Sequence, residues 1–213
     1  MTRPLLVLKA ATPYTGPSRQ FAGGGRNALR IQRRDNMNEL KFRTATRADA
    51  SAMLALLRSV STEGDTLPFQ NGVDGDFIDS QWLGACGCVL ACRGELLLGM
   101  YRYGANVPGR GSHIATATFL VAQQCRGQGL GRKLVKHCLA EAKASGFRAM
   151  QFNQVVATNL AALSLYRSMG FKRVGKIPEA FAHPVYGYVS AYVMYLDLGR
   201  SDERLVAEPH YAE

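Results

Sequence analysis

No apolar run in these 213 residues approaches the ~18–20 residues that a membrane span needs. With 47% hydrophobic content, enough for an ordinary packed core, this predicts a soluble, cytoplasmic protein with no membrane partner. Metal-ligand spacing is missing too. Cys86-x-Cys88 has no second pair and no nearby His, so no metal is expected. The five cysteines (Cys86, Cys88, Cys92, Cys125 and Cys138) are odd in number, which argues against a secreted disulfide framework and for reduced thiols. Acids are nearly absent from residues 1–36, where Arg3, Lys9, Arg19, Arg26, Arg30, Arg33 and Arg34 face Asp35 alone. That segment carries +6 of the net +10. The basicity therefore belongs mostly to the N-terminal stretch. The rest shows no aromatic and basic interleaving, so no nucleic-acid partner is expected.

Residues 1–36 also lack a sustained period, and "ATPYTGPSRQFAGGGR" reads as loop or disorder. Three readings fit: a flexible tail, an Arg-rich transit peptide, or translation starting at Met37. The absence of an apolar face favours the first or the last. The ordered domain is expected over 37–198, with a loose polar tail over 199–213.

From Met37 onward the chain is patterned. "ELKFRTAT" alternates as a strand does. Thr46 and Asp49 form a T-x-x-D helix start, and Ala50, Met53, Leu54, Leu57 and Val60 follow at helical spacing. Residues 61–76 read as a long polar loop holding four acids. "CVLAC" and "ELLLGMYRYG" read as strands joined at Arg93-Gly94, and "HIATATFLV" as a third. A helix follows, with Leu134, Val135, Cys138, Leu139 and Ala142 on one face and Gly146 as its terminator. "RAMQFNQVV" is a strand, "TNLAALSLYRSMG" a short helix, and "FKRVGKI" and "YGYVSAYVMYLDL" the last two strands. This order predicts an α/β fold: a mixed, mainly antiparallel sheet with flanking helices.

Between the third β-rich run and its helix lies "QQCRGQGLGRKLV", residues 123–135. A Gly-rich basic turn opening a helix makes an anion site. The first helical N–H groups have no partner, the helix dipole adds roughly half a positive charge, and glycine lets backbone approach a phosphate. Lys133 follows Arg132 and precedes Leu134, so the Walker pattern fails. Gly127, Gly129 and Gly131 are spaced G-x-G-x-G, so the dinucleotide fingerprint fails too. The pattern [RQ]-x-x-G-x-[GA] is met by Arg126, Gly129 and Gly131.

That loop after "FLV" resembles the acetyl-CoA loop of the GNAT family of N-acetyltransferases. "NQVVATNLAALSLYRSMGFKRVG" is similar to the family's later segment, in the right order and about thirty residues on. The resemblance covers roughly Leu40 to Leu198. It implies the acyl-CoA N-acyltransferase fold, acetyl-CoA as cosubstrate, and transfer of its acetyl group to an amine by direct attack in a ternary complex. "FNQVVATN", "PEAFAHPVYGY" and "VMY" resemble a bacterial and fungal subgroup that includes a yeast enzyme acting on proline analogues. A small-molecule acceptor, such as an amino acid or toxin, is therefore expected. A protein N-terminus or lysine is the alternative acceptor, and a non-catalytic CoA sensor the alternative role. An edge strand could pair two copies into a homodimer.

The resemblance also implies roles for single residues. The amides of Arg126, Gly127, Gln128, Gly129, Leu130 and Gly131, with Arg132, would hold the pyrophosphate. The strand end Phe119, Leu120 and Val121 would bind the pantetheine arm and polarise the thioester carbonyl. Tyr166 would protonate the departing thiolate, although packing alone would also explain a helical aromatic. Asn159 would touch pantetheine, cap its helix, or do both. Asn153, disfavoured within a strand, would face the acyl group or substrate, or serve structure. "ATATFLV" carries no acid, so the family's strand glutamate base has no counterpart. Glu63 and Asp65 in the polar loop are candidates to bind the amine or its proton, and His113 could act through water.

Overall fold

Alternation places one face of "LKFRT" inward, and this segment forms strand β1 (Leu40–Thr44). The structure, a computed structural model, describes residues 39–68 and 73–199. The expectations for 1–36 and for 200–213 lie outside the described residues. After β1, Asp49 Oδ2 accepts hydrogen bonds from Thr46 N at 2.8 Å and from Thr46 Oγ1 at 2.9 Å. Arg43 adds a two-pronged contact to the same carboxylate, at 2.8 and 2.6 Å. This knot starts helix α1 (Ala50–Ser61), which buries Met53, Leu56, Leu57 and Val60.

The loop expected over 61–76 gives way earlier, at Asp74, to helical structure that the sequence pattern does not announce. Asp74 caps a helical turn at Gly75–Phe77, accepting from Phe77 N at 2.9 Å. The turn runs on as a π-helical segment, Ile78–Leu83. Ile78 and Trp82 in it are fully buried. Asp79, Ser80 and Gln81 between them hide the apolar signal.

Seven strands make one sheet in the order β1-β2-β3-β4-β5-β7-β6. They are β2 (Gly87–Arg93), β3 (Leu96–Ala105), β4 (Ile114–Val121), β5 (Ala149–Val156), β6 (Lys172–His183) and β7 (Gly187–Asp197). Only β4 and β5 pair in parallel; the other neighbours are antiparallel. The mixed, mainly antiparallel sheet is thus as the sequence implies. The β2–β3 turn sits at Gly94-Glu95, one residue later than expected, because Arg93 still pairs with Leu96. Strand β6 extends through "PEAFAH", beyond the expected "FKRVGKI", with a bulge between Ile177 and Phe181. Glu179 in that bulge has φ +50.

Two helices come after β4 and β5: α2 (Leu130–Ala144) and α3 (Leu160–Ser168). They cover one face of the sheet, where Leu134, Val135 and Cys138 meet Tyr101, Met150, Phe152 and Phe171. On the other face α1 and the π-helical segment pack Met53, Leu57, Ile78 and Trp82 against Leu90, Met100 and Leu120. All five cysteines are free thiols. Among the described residues no helix is long and apolar enough to cross a membrane.

Candidate active site

The site begins with a strand that has only one complete partner. Along β3, strand β4 is paired from Gly99↔Val121 to Ala105↔Ala115. Ala122 N donates to Leu98 O at 2.9 Å and Asn106 N to Ile114 O at 2.8 Å. An antiparallel ladder alternates, so even-numbered β4 residues turn their main-chain groups to β3. Ala117, Phe119 and Val121 turn theirs to β5. Strand β5 pairs only with Ile114 and Ala115. Beyond Ala115 the two parallel strands separate, and three sets of main-chain groups face an opening. Of the expected trio, Phe119 and Val121 therefore present amides to this opening. Leu120 does not: its main chain faces β3 and its side chain is buried against the α1 side.

At the end of this open edge the chain makes one 3-10 turn, Gln123–Cys125. The Arg126 amide is spent on Gln123 O at 3.2 Å, and the first bond into α2 is Lys133 N to Gly129 O at 3.2 Å. Between them, the amides of Gly127, Gln128, Gly129, Leu130, Gly131 and Arg132 have no acceptor among the described residues. The donor run is thus shifted one residue on from the expected Arg126–Gly131. Gly127 and Gly129 have φ of +72 and +79, with nothing within 4 Å of where a Cβ would stand. Such left-handed backbone favours glycine, and turns of this kind set successive N–H groups into an anion-binding nest. Leu130 contributes an amide only, since its side chain is in the core. Gln128 Nε2 donates to Gln124 O at 2.7 Å. Arg132 Nη2 donates to Ser168 Oγ at 2.7 Å, tying the loop to the end of α3.

The Arg126 guanidinium turns back. Its Nε reaches Val121 O at 3.4 Å and its Nη1 meets Glu63 Oε2 at 2.6 Å. The structure therefore brings Glu63 to the glycine loop, with its carboxylate already engaged. Gly64 lies against the tip of the β6–β7 hairpin: a Cβ on it would be 3.5 Å from Pro184 Cγ. Asp65 is next in the chain, with Oδ1 buried and unpartnered.

Across the opening stands α3. Asn159 is its cap, with Oδ1 accepting from Ala162 N at 3.0 Å. This use leaves the Nδ2 donors uncommitted. One face of α3 carries Tyr166 into a cluster of rings, with centroids 6.3 Å from Phe119, 4.5 Å from Phe152 and 5.7 Å from Phe171. Burial, reinforced by the nearby Cys138, pushes the Tyr166 phenol well above the ordinary tyrosine range. Its hydroxyl has no hydrogen-bond partner among the described residues.

Asn153 is exposed, at the point where β5 shifts register between Phe152 and Val155. Its Nδ2 donates to Asn106 Oδ1 at 2.6 Å and its Oδ1 accepts from Gln151 Nε2 at 2.8 Å. The chain of three amides carries no charge. His113 precedes β4 at the end away from the glycine loop, beside Arg110 O at 3.2 Å. Eight residues of strand put it about 26 Å from Val121, so it is remote from the glycine loop. Sequence reasoning missed Ala117, Asn106 and Gln151. Only Ala117 left a signal, as the odd-numbered partner of Phe119 in "ATATFLV". Among the described residues no three His, Cys, Asp or Glu side chains gather as a metal site.

Known proteins resemble this chain in sequence and in fold. The model of the Acetyltransferase (GNAT) family matches residues 57–171, more than half of the chain. N-acetyltransferase aca1 of Schizosaccharomyces pombe is 40% identical over 98 residues, which are 46% of this chain and 47% of that protein. Protein SPT10 of Saccharomyces cerevisiae is 35% identical over 83 residues, 39% of this chain and 13% of that protein. The match thus spans about half the length of the first curated relative and much less of the second. Among solved structures, a GCN5-related N-acetyltransferase from Kribbella flavida superposes with a TM-score of 0.70 at 37% identity, covering 74% of this chain and 97% of that one. A phosphinothricin acetyltransferase from Sinorhizobium meliloti, in complex with acetyl-CoA, gives 0.69 at 19% identity, covering 81% and 95%, a likeness of fold alone. The family match takes in the open edge of β4, the nest of free amides and all of α3, and the chain belongs to the GNAT family of acetyltransferases.

Proposed function

We propose that the protein moves the acetyl group of acetyl-CoA to an amine, and that the acceptor is a small molecule. One observation carries this: the unpaired edge of β4 leads directly into the acceptor-free amides of Gly127 to Arg132. An extended amide-bearing arm suits the first and a diphosphate the second. Acetyl-CoA has both and supplies an activated acyl thioester.

The nest from Gly127 to Arg132 holds the diphosphate, with Arg132 beside it. The main chain of Ala117, Phe119 and Val121 pairs with the pantetheine arm as a missing strand would. An N–H on this edge, aimed at the thioester oxygen, stabilises the oxyanion formed when the amine attacks. As the C–S bond breaks, Tyr166 gives its proton to the sulfur, and the amine proton leaves to solvent or to a nearby carboxylate. The products are an N-acetyl amine and the free thiol. Asn153 and Asn159 line the approach. The name of one relative, an N-acetyltransferase, supports an amine acceptor. Calorimetry with CoA, then thiol release against a panel of amines, tests the reading. Micromolar CoA binding and turnover with some amine are expected; absence of CoA binding overturns it.

A further inference from the structure

Two arginines flank the nest, and both guanidiniums are engaged away from it. Arg126 turns back to Glu63 and Val121 O. Arg132 reaches the last turn of α3, where its Nη2 donates to Ser168 Oγ at 2.7 Å and its Nη1 to Met169 Sδ at 3.6 Å. Ser168 Oγ in turn donates to Leu165 O at 2.7 Å. Gly131 touches the same turn, since a Cβ on it would stand 3.4 Å from Leu165 Cδ2. Gly131 and Arg132 thus carry two of the acceptor-free amides and also hold the turn that contains Tyr166.

Left to itself, α3 is a weak platform for that tyrosine. It has nine residues and buries Leu163 alone, whereas isolated helices shorter than ~12–15 residues are marginal in water. Asn159 secures its start. Its end carries roughly half a negative charge, which suits a guanidinium, and the Nη2 to Oγ bond is charge-assisted. Leu165 and Ser168, the two residues held from the cofactor loop, bracket Tyr166 in the chain. A displacement of about 1 Å in a reacting group can cost ~10²-fold in rate.

We infer that Arg132 is a positioning residue: its guanidinium acts through Ser168 to hold α3, and so seats the Tyr166 hydroxyl against the cofactor sulfur. The diphosphate is left to the backbone amides, and the Arg132 side chain links the loop that carries them to the proton donor. The inference rests on the transferase reading, since it concerns the proton step of that reaction.

The test is a double-mutant cycle in the 213-residue chain. Acetyl transfer is followed by thiol release at saturating acetyl-CoA with phenethylamine, spermidine and hydroxylamine, with uncatalysed aminolysis subtracted. CoA affinity is measured by calorimetry. Ser168→Ala cuts the tie and leaves every amide of the nest. It is expected to lower kcat by ~5-fold or more, with CoA affinity within about twofold of wild type. Arg132→Met is expected to lower kcat by at least as much, and Arg132→Lys, which keeps a donor and a charge, to recover part of that loss. In a Tyr166→Phe background, Ser168→Ala and Arg132→Met are each expected to change kcat by less than about twofold, because the group they position is gone. A tie that serves stability alone would give the same fold loss in both backgrounds, and that result overturns the inference. So does wild-type kcat in Ser168→Ala, or an Arg132→Met defect confined to CoA affinity, which would make the guanidinium a phosphate ligand. Failure of the wild type to bind CoA, or to acetylate any of the three amines, overturns the transferase reading instead.

Discussion

The two edges of β4 are made of the same eight residues and behave as opposites. Toward β3 the ladder is unbroken from Ala115 to Val121, and even residues spend their amides there. Toward β5 pairing stops after Ala115, and odd residues keep theirs. One edge serves stability, and the other is the edge proposed above for the pantetheine arm. An unpaired edge inside a sheet would be a liability unless something regularly occupies it. On the proposed reading, the divergence of two parallel neighbours is the structural cost of a strand-shaped slot for that arm.

That contrast can be broken or sharpened. Tyr166→Phe removes the donor beside the slot without altering either edge. Its kcat is expected to fall by ~10²-fold or more, with CoA affinity unchanged by calorimetry; unchanged turnover would remove Tyr166 from the chemistry. Gly129→Val forces a branched side chain onto left-handed backbone. Strain of about 1–3 kcal/mol is expected to lower Tm by several degrees, and relaxation of the loop away from its left-handed geometry to weaken CoA binding by roughly tenfold. Ala117→Pro deletes one amide of the open edge and none of the β3 ladder. CoA affinity should fall several-fold, whereas adenosine 3′,5′-bisphosphate, which lacks the arm, should bind as before. Thr118→Pro, one residue on, strikes the β3 edge and should instead lower Tm steeply. If the two proline variants behave alike, the distinction between the edges is wrong.

The smallest effect concerns a place remote from the slot. The Arg43 guanidinium, with the Thr46 amide and hydroxyl adding to it, holds the Asp49 carboxyl far below the usual carboxylate range. A depressed folded-state value means stability that is present above the unfolded carboxylate pKa of about 3.9 and is lost as pH falls below it. Asp49→Asn is expected to cost ~1 kcal/mol at neutral pH, because the pair is partly solvent-screened. The Tm gap between variant and wild type should begin to narrow as pH falls below about 3.9 and close only below the folded-state value. Acetyl transfer should be unaffected.

Much of the fold was legible because period and punctuation agree. Thr46 and Asp49 announce α1, Gly146 and Gly170 close two helices at φ of +86 and +94, and "ATATFLV" alternates as a strand must. The glycine turn opening a helix was legible from "QQCRGQGLGRKLV" alone, and α2 does start there, after left-handed Gly127 and Gly129. The slot was not. Whether two parallel neighbours stay paired depends on the register of β5 against β7 and its shift after Phe152, which no local pattern in "RAMQFNQVV" encodes. The fate of Glu63 was equally hidden, since its partner Arg126 lies 63 residues away. The Ile78–Leu83 segment escaped because a π-helical turn has neither the 3.6-residue nor the two-residue period.

That π-helical segment has a practical use. Trp82 is the chain's single tryptophan, and it is wholly shielded beneath α1 with Arg102 near its ring, 5.8 Å from the centroid. Its fluorescence can arise from one environment only. A blue emission maximum reports that the α1 side of the sheet is closed, and a shift to the red reports water reaching it. The protein thus carries its own optical gauge for one half of its core, at a position where no label needs to be introduced.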